Sequence, residues 1–188
     1  MRVIGGRAKG RRLKVPKGRT LRPTADRVKE ALFNILPHDL SGLKVLDLFA
    51  GTGNLSVEAL SRGASEAILV DASREAGKAI RENLRALGFS GRSRLWQLPV
   101  LRSIRLLSRR GEKFDLIFLD PPYERDWVGQ VLRAIAQEGL LRETGILVAE
   151  HSVREKVEGH YGPLALQDQR RYGTSRLSFF GLSQSQAT

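Results

Sequence analysis

Short apolar runs alternate along this chain with longer stretches in which apolar residues recur every three or four positions. Leu43–Phe49 (LKVLDLF), Ala67–Val70 (AILV), Phe114–Leu119 (FDLIFL) and Ile146–Ala149 (ILVA) have the length and continuity of strands buried on both faces. Arg94–Leu98 is a weaker run of the same kind. Between them lie helical patterns. Asn54–Arg62 is one, and Arg74–Leu87 places Ala76, Ala79, Ile80, Leu84 and Leu87 on one face. Residues 100–109 form a third, and Trp127, Val128, Val131, Leu132 and Ile135 mark a fourth. Upstream, Val28, Leu32, Ile35 and Leu36 predict a helix that ends before Pro37, with Thr24 as N-cap and Asp26 in the first turn. Two late pieces, about 164–170 and 175–181, read as a hairpin turning at Tyr172-Gly173, and the polar residues 183–188 read as a frayed tail. Strands alternating with helices predict an α/β fold: a doubly wound, mostly parallel sheet with a terminal β-hairpin. Residues 1–36 are expected to form a basic N-terminal extension and helix on a domain spanning 37–182.

Composition narrows the class. The 188 residues include no cysteine, which excludes disulfides, Cys-ligated metals and a thiol nucleophile. No stretch approaches the roughly 18 apolar residues of a membrane span, and the first residues, MRVIGGR, lack the apolar core of a secretory signal. A soluble cytoplasmic protein, with no membrane partner, is expected. The net charge of +12 is concentrated: residues 1–30 hold eleven Lys or Arg against Asp26 and Glu30, a net +9. Such a cluster suits phosphate, because it releases condensed counterions on binding. Gly5, Gly6, Gly10, Pro16 and Gly18 break this segment into short pieces, as in a bent or hairpin arm. Arg7, Lys9, Arg11, Arg12, Lys14 and Arg22 are its candidate RNA-binding residues.

In a parallel α/β sheet, ligands bind beyond the carboxyl ends of the strands. Three loops there carry chemistry. In Asp47-Leu48-Phe49-Ala50-Gly51-Thr52-Gly53-Asn54, two glycines allow a tight turn and close approach of backbone to ligand, ahead of a helix N-terminus. Ser56 stands where a dinucleotide fingerprint has its third glycine, which weakens an NAD reading. Asp47 lies within the strand, where a carboxylate needs a partner, either a ligand ammonium or backbone N–H groups. Asp71 ends the second strand, twenty residues after Gly51, and suits the two hydroxyls of a ribose. The third loop is Asp120-Pro121-Pro122-Tyr123. The prolines fix the backbone, Asp120 and the Pro121 carbonyl can accept both hydrogens of an exocyclic amine, and Tyr123 can stack on a base.

These residues resemble a known family. The Asp47–Gly53 loop with Asp71 resembles the S-adenosylmethionine site of class I methyltransferases, and Asp-Pro-Pro-Tyr resembles the catalytic loop of those that methylate exocyclic amines. Arg2-Val3-Ile4-Gly5-Gly6, Lys9-Gly10-Arg11, Arg22-Pro23-Thr24, the helix VKEALFNIL and Arg171-Tyr172-Gly173 are similar to the bacterial 16S rRNA guanine-N2 methyltransferases of the RsmD type. The resemblance implies a monomer that uses S-adenosylmethionine, needs no metal, and acts on 16S rRNA or the small ribosomal subunit. It implies Asp120, Pro121, Pro122 and Tyr123 as catalytic residues. Asp47, Phe49, Gly51, Thr52, Gly53, Asn54 and Asp71 are implied as cofactor-binding. One departure stands out: the family has an acid after strand three, near the cofactor adenine, and this chain reads Trp96-Gln97-Leu98-Pro99-Val100. His38, His151 and His160 are scattered and form no ligand set. An adenine-N6 methyltransferase and a non-catalytic RNA-binding protein are the alternatives. An NTPase is disfavoured, because no P-loop is present.

Overall fold

The computed structural model describes residues 1–15, 23–122 and 126–183. They divide into two compact units, Met1–Val100 and Leu101–Thr188. Tyr123, Arg22 and the polar tail beyond Ser183 lie outside the described residues.

The first unit holds helix α1 (Pro23–Ile35), strand β1 (Lys44–Leu48), α2 (Asn54–Ser61), β2 (Glu66–Val70), α3 (Arg74–Ala86) and β3 (Ser93–Trp96). β2 lies between β1 and β3, and both pairings are parallel. Leu48 pairs with Val70 and Val70 with Trp96, so the three strands end in one row. The loops that follow therefore open on one edge. β1 and β2 are buried over their last four residues, as their largely apolar character predicts, with Asp47 the exception in β1. α3 turns Ala76, Ala79, Ile80 and Leu84 inward and is capped by Ser73, whose Oγ accepts from Ala76 N at 3.2 Å. α1 begins at Pro23, so Thr24 sits inside its first turn and not at the N-cap. Proline favours that first helical position, since its fixed φ is already helical and no N–H is lost.

The segment before α1 is a docked hairpin. Arg2 bridges to Arg12 in antiparallel fashion, Val3 N donates to Arg11 O at 2.9 Å, and Gly10 N donates to Val3 O at 2.9 Å. Val3, Ala8 and Leu13 are buried, while Arg2, Arg7, Lys9, Arg11, Arg12 and Lys14 are exposed. The apolar minority of the segment fixes it, and the basic majority faces water. Gly6 shows why glycine is needed: with φ +70, its missing Cβ would fall on the backbone of Ser61 in α2.

The second unit holds α4 (Val100–Arg109), which starts at the boundary, β4 (Phe114–Leu119), α5 (Trp127–Glu138), β5 (Leu141–Ser152), β6 (His160–Tyr161), β7 (Leu164–Tyr172) and β8 (Ser175–Leu182). β4 and β5 are parallel; β5–β8, β8–β7 and β7–β6 are antiparallel. β5 is longer than its apolar run suggests. It begins at Leu141, through the polar stretch Arg142-Glu143-Thr144, and its pairing with β4 shifts register between Phe114 and Leu116. The hairpin turn falls at Gly173-Thr174. Among the described residues no helix is long and apolar enough to cross a membrane. The α/β architecture with a terminal hairpin is as the pattern predicts.

Candidate active site

The row of strand ends in the first unit carries the glycine loop expected to hold a cofactor. β1 stops at Leu48, because Phe49 adopts φ 63, left-handed backbone that is unfavourable for an aromatic residue. The chain then doubles back: Ala50 N donates to Val70 O at 3.0 Å and Gly53 N to Ala50 O at 2.7 Å. Gly51 and Gly53 both have positive φ, and a Cβ on Gly53 would sit 3.1 Å from Leu69 Cδ2. Glycine there lets the start of α2 approach β2 closely.

Asp71 braces this turn. Its Oδ2 accepts from Gly51 N at 2.8 Å and its Oδ1 from Ser73 N at 2.9 Å. Each carboxylate oxygen can accept a second hydrogen bond. The half-buried carboxylate thus fixes the Gly51 turn and still has capacity for a diol.

Asp47 is fully enclosed, and its partner is now identified. Oδ2 accepts from Ser56 N at 3.1 Å and from Ser56 Oγ at 2.7 Å. Burial is the chief cause that pushes its carboxyl up to about 7, against the lowering effect of the Ser56 bonds and with a further rise from Asp71 nearby. Ser56, which looked like a lapse from a glycine fingerprint, supplies both donors to Asp47. A buried acid inside a strand is the signal that could have pointed to it.

Thr52 is buried; its carbonyl accepts from Asn83 Nδ2 at 3.0 Å. Asn54 Oδ1 accepts from Lys29 Nζ at 2.9 Å, which ties it to α1. Gln97, the residue near the departure after β3, accepts from Arg81 at 2.8 Å through Oε1 and packs on Gly77.

Sequence reasoning missed the anchor of the hairpin. Glu58 of α2 is wholly buried. It accepts from Ile4 N at 2.9 Å and Gly5 N at 2.7 Å, bonds Arg62 Nε at 3.1 Å, and lies 3.6 Å from the buried Lys29 Nζ. Lys29 also donates to Arg2 O. Burial lowers its pKa, with Glu58 the main opposing influence. Ser61 adds two bonds, accepting from Ala8 N and donating to Gly5 O. Not every basic side chain of the hairpin is uncommitted: Arg7 stacks on Phe89 and donates to Gly88 O, Arg11 donates to Ala86 O, and Lys14 pairs with Glu82.

In the second unit, Asp120 and Pro121 directly follow the buried end of β4, with Asp120 exposed and Pro121 buried. His151 is a core residue. Its ring nitrogens lie 2.9 Å from Ser152 O and 2.8 Å from Ser178 Oγ, and burial lowers its pKa. His38 and His160 are exposed. Among the described residues no group of three acids or histidines could hold a metal ion.

The family model described as Conserved hypothetical protein 95 matches residues 1–181. The chain belongs to that family. It is 36% identical over 180 residues to a Bacillus subtilis protein named "Putative rRNA methyltransferase YlbH", covering 96% of this chain and 98% of that one. It is 35% identical over 153 residues to "Ribosomal RNA small subunit methyltransferase D" of Escherichia coli, covering 81% of this chain and 75% of that one. Among solved structures, "Putative methyltransferase yhhF from Escherichia coli" superposes with a TM-score of 0.84 at 30% identity, covering 98% of this chain and 99% of that one. The family and the α/β fold agree with the expectation from the motifs.

Proposed function

We propose that this protein transfers a methyl group from S-adenosylmethionine to the exocyclic N2 of a guanine in small-subunit rRNA. The observation that carries the reading is Asp120-Pro121-Pro122, presented at the carboxyl end of a buried strand in a chain that belongs to this family. The relatives named as rRNA methyltransferases support the substrate class.

The cofactor loop fits such a ligand. Gly51 and Gly53 leave no side chain above the turn, and Asp71 retains acceptor capacity for ribose hydroxyls while it holds the Gly51 N–H. When bound, S-adenosylmethionine supplies a methyl already activated on a sulfonium. The chain's own task is then to position the amine. A guanine amino group is a poor nucleophile, because its lone pair is delocalised into the ring. The Asp120 carboxylate and the Pro121 carbonyl accept its two hydrogens, which favours a tetrahedral nitrogen and frees the pair. Tyr123 stacks on the base, which must leave its own stack to be reached. Orientation supplies most of the acceleration, since the leaving group is neutral. The exposed basic residues of the hairpin contact the RNA backbone.

The test is methylation of 16S rRNA and of 30S particles with labelled cofactor, followed by nucleoside chromatography and mapping. N2-methylguanine at one position is expected. Asp120→Ala should abolish transfer while RNA binding persists. Methyl recovered on adenine N6, or undiminished transfer by the variant, would refute the assignment.

A further inference from the structure

The register of the C-terminal strands creates an arrangement that folding alone does not favour. Arg171 of β7 pairs directly with Arg176 of β8, and Arg176 pairs with His151 of β5. Directly opposed residues in an antiparallel pair share a face, with Cβ atoms about 5 Å apart, and like charges there are destabilising. Among the described residues no carboxylate is paired with either arginine. Arg171 Nε donates to Gly173 O at 3.0 Å, which leaves its terminal nitrogens uncommitted. Among the described residues the Arg176 guanidinium has no hydrogen bond and no carboxylate partner. Asp168, an acid in the same strand as Arg171, is held by Arg170 at 2.8 Å. The third member of the row, His151, is buried, bonded to Ser152 O and Ser178 Oγ, and cannot accept the charge of either arginine.

The place of this pair is informative. β4 and β5 run parallel with Leu119 opposite Ala149, so Asp120 leaves the sheet at the level of Glu150. The Arg171–Arg176 row is level with His151, one position further along the same edge. Strand spacing of about 4.8 Å puts β8 roughly 10 Å and β7 roughly 14 Å from β4. That is within a few nucleotides of any base held at Asp120. The turn that follows is anchored, since Val153 N donates to Thr174 O at 3.0 Å.

We propose that Arg171 and Arg176 form a phosphate clamp for the rRNA strand that carries the target base, on the edge of the second unit that presents Asp120. Their opposed guanidiniums converge on one phosphodiester, whose charge removes the repulsion between them. The inference rests on the proposed rRNA methyltransferase activity.

The experiment compares wild type with R171Q, R176Q and the double variant on full-length 16S rRNA. It measures RNA affinity against salt, KM and kcat for methyl transfer, cofactor affinity by calorimetry, and the unfolding midpoint. Each lost phosphate contact should lower the log–log salt slope by roughly 0.7–0.9. KM for RNA should rise while kcat at saturating RNA and cofactor affinity hold. Because the pair repels, the unfolding midpoint of the variants should stay level or rise, which a structural role for the arginines would not produce. Unchanged salt slope and KM in a double variant that folds would overturn the clamp while leaving the methyltransferase reading intact. A wild-type protein that neither binds nor methylates rRNA would overturn that reading and the clamp with it.

Discussion

Glu58→Gln tests whether one buried carboxylate holds the hairpin to the body. Glu58 is shared by four partners: the Ile4 and Gly5 amides, Arg62 Nε and Lys29 Nζ. Glutamine keeps the shape but loses the charge, and its NH2 group can face a donor where an acceptor stood. Lys29 is only 2% exposed, so its ammonium would be left buried beside Arg62 with no counter-charge from α2. Breaking a buried pair by neutralising one member costs about 3–5 kcal/mol. That is a large part of the roughly 5–15 kcal/mol by which a domain is stable. At roughly 2–4 °C per kcal/mol for a chain of this size, the midpoint should fall by about 6–20 °C. Thermal unfolding followed by circular dichroism gives the midpoint, and hydrogen exchange gives the location. The amides of Val3, Gly10 and Leu13 should lose protection first, because their bonds are internal to the hairpin. Adding Lys29→Met to the variant should restore part of the loss by removing the stranded charge. A midpoint within 2 °C of wild type (roughly 1 kcal/mol or less by the same scaling), with hairpin amides still protected, would show that the anchor lies elsewhere.

The remaining predictions concern the cofactor loop and the exposed charges. Asp71→Ala should weaken S-adenosylmethionine binding by roughly 1–3 kcal/mol, the scale of losing charge-assisted bonds, read by calorimetry; unchanged affinity would place the ribose elsewhere. Asp47 has a folded-state pKa raised to about 7, so the stability its protonated form contributes is fully present below pH ~4 and is lost as pH climbs through about 7. Asp47→Asn keeps an acceptor for Ser56 and should flatten that decline, by up to about 4 kcal/mol at 1.36 kcal/mol per pH unit; parallel denaturant-stability profiles from pH 4 to 9 would refute it. Lys9→Gln with Arg12→Gln, two side chains exposed on the hairpin, should reduce RNA affinity and salt slope and leave cofactor affinity unchanged.

The strand ends were legible because several signals coincide at each. Leu48, Val70 and Leu119 each close a largely apolar run, and an acid or a glycine turn follows. Period and punctuation agree, so strand ends are placed to within a residue. Other features lack such a signal. The first half of β5 runs through Arg142, Glu143 and Thr144, between its pairing with β4 at Leu141 and from Ile146 onward, so nothing in the pattern marks it as strand. Two residues suffice for β6, too few for any period. Nothing in the helical pattern marks Glu58 or Lys29 as core. Only their mutual burial shows otherwise, and that depends on a hairpin more than fifty residues away in sequence. Ser56 was legible only as a departure from a motif, because its role is to answer a carboxylate nine positions earlier.

Folding changes the meaning of the N-terminal charge. Counted along the sequence, the excess in residues 1–30 is one basic cluster. In the structure it divides by what each side chain touches. Lys29 belongs to the core, where its charge is spent on Glu58 and on the Arg2 carbonyl. Arg7 and Lys14 help seat the hairpin on Phe89 and Glu82. What faces outward without such a task, Lys9 and Arg12 among them, is held on a backbone already fixed by Glu58, Ser61 and three buried apolar residues. A disordered basic tail would have to be ordered on binding, at a cost subtracted from every phosphate contact. A docked hairpin meets that cost in folding. Fewer charges on a fixed frame can therefore bind RNA as well as a larger number on a loose one. The buried anchor at Glu58, more than the count of arginines, is what converts this segment from a charged extension into a surface.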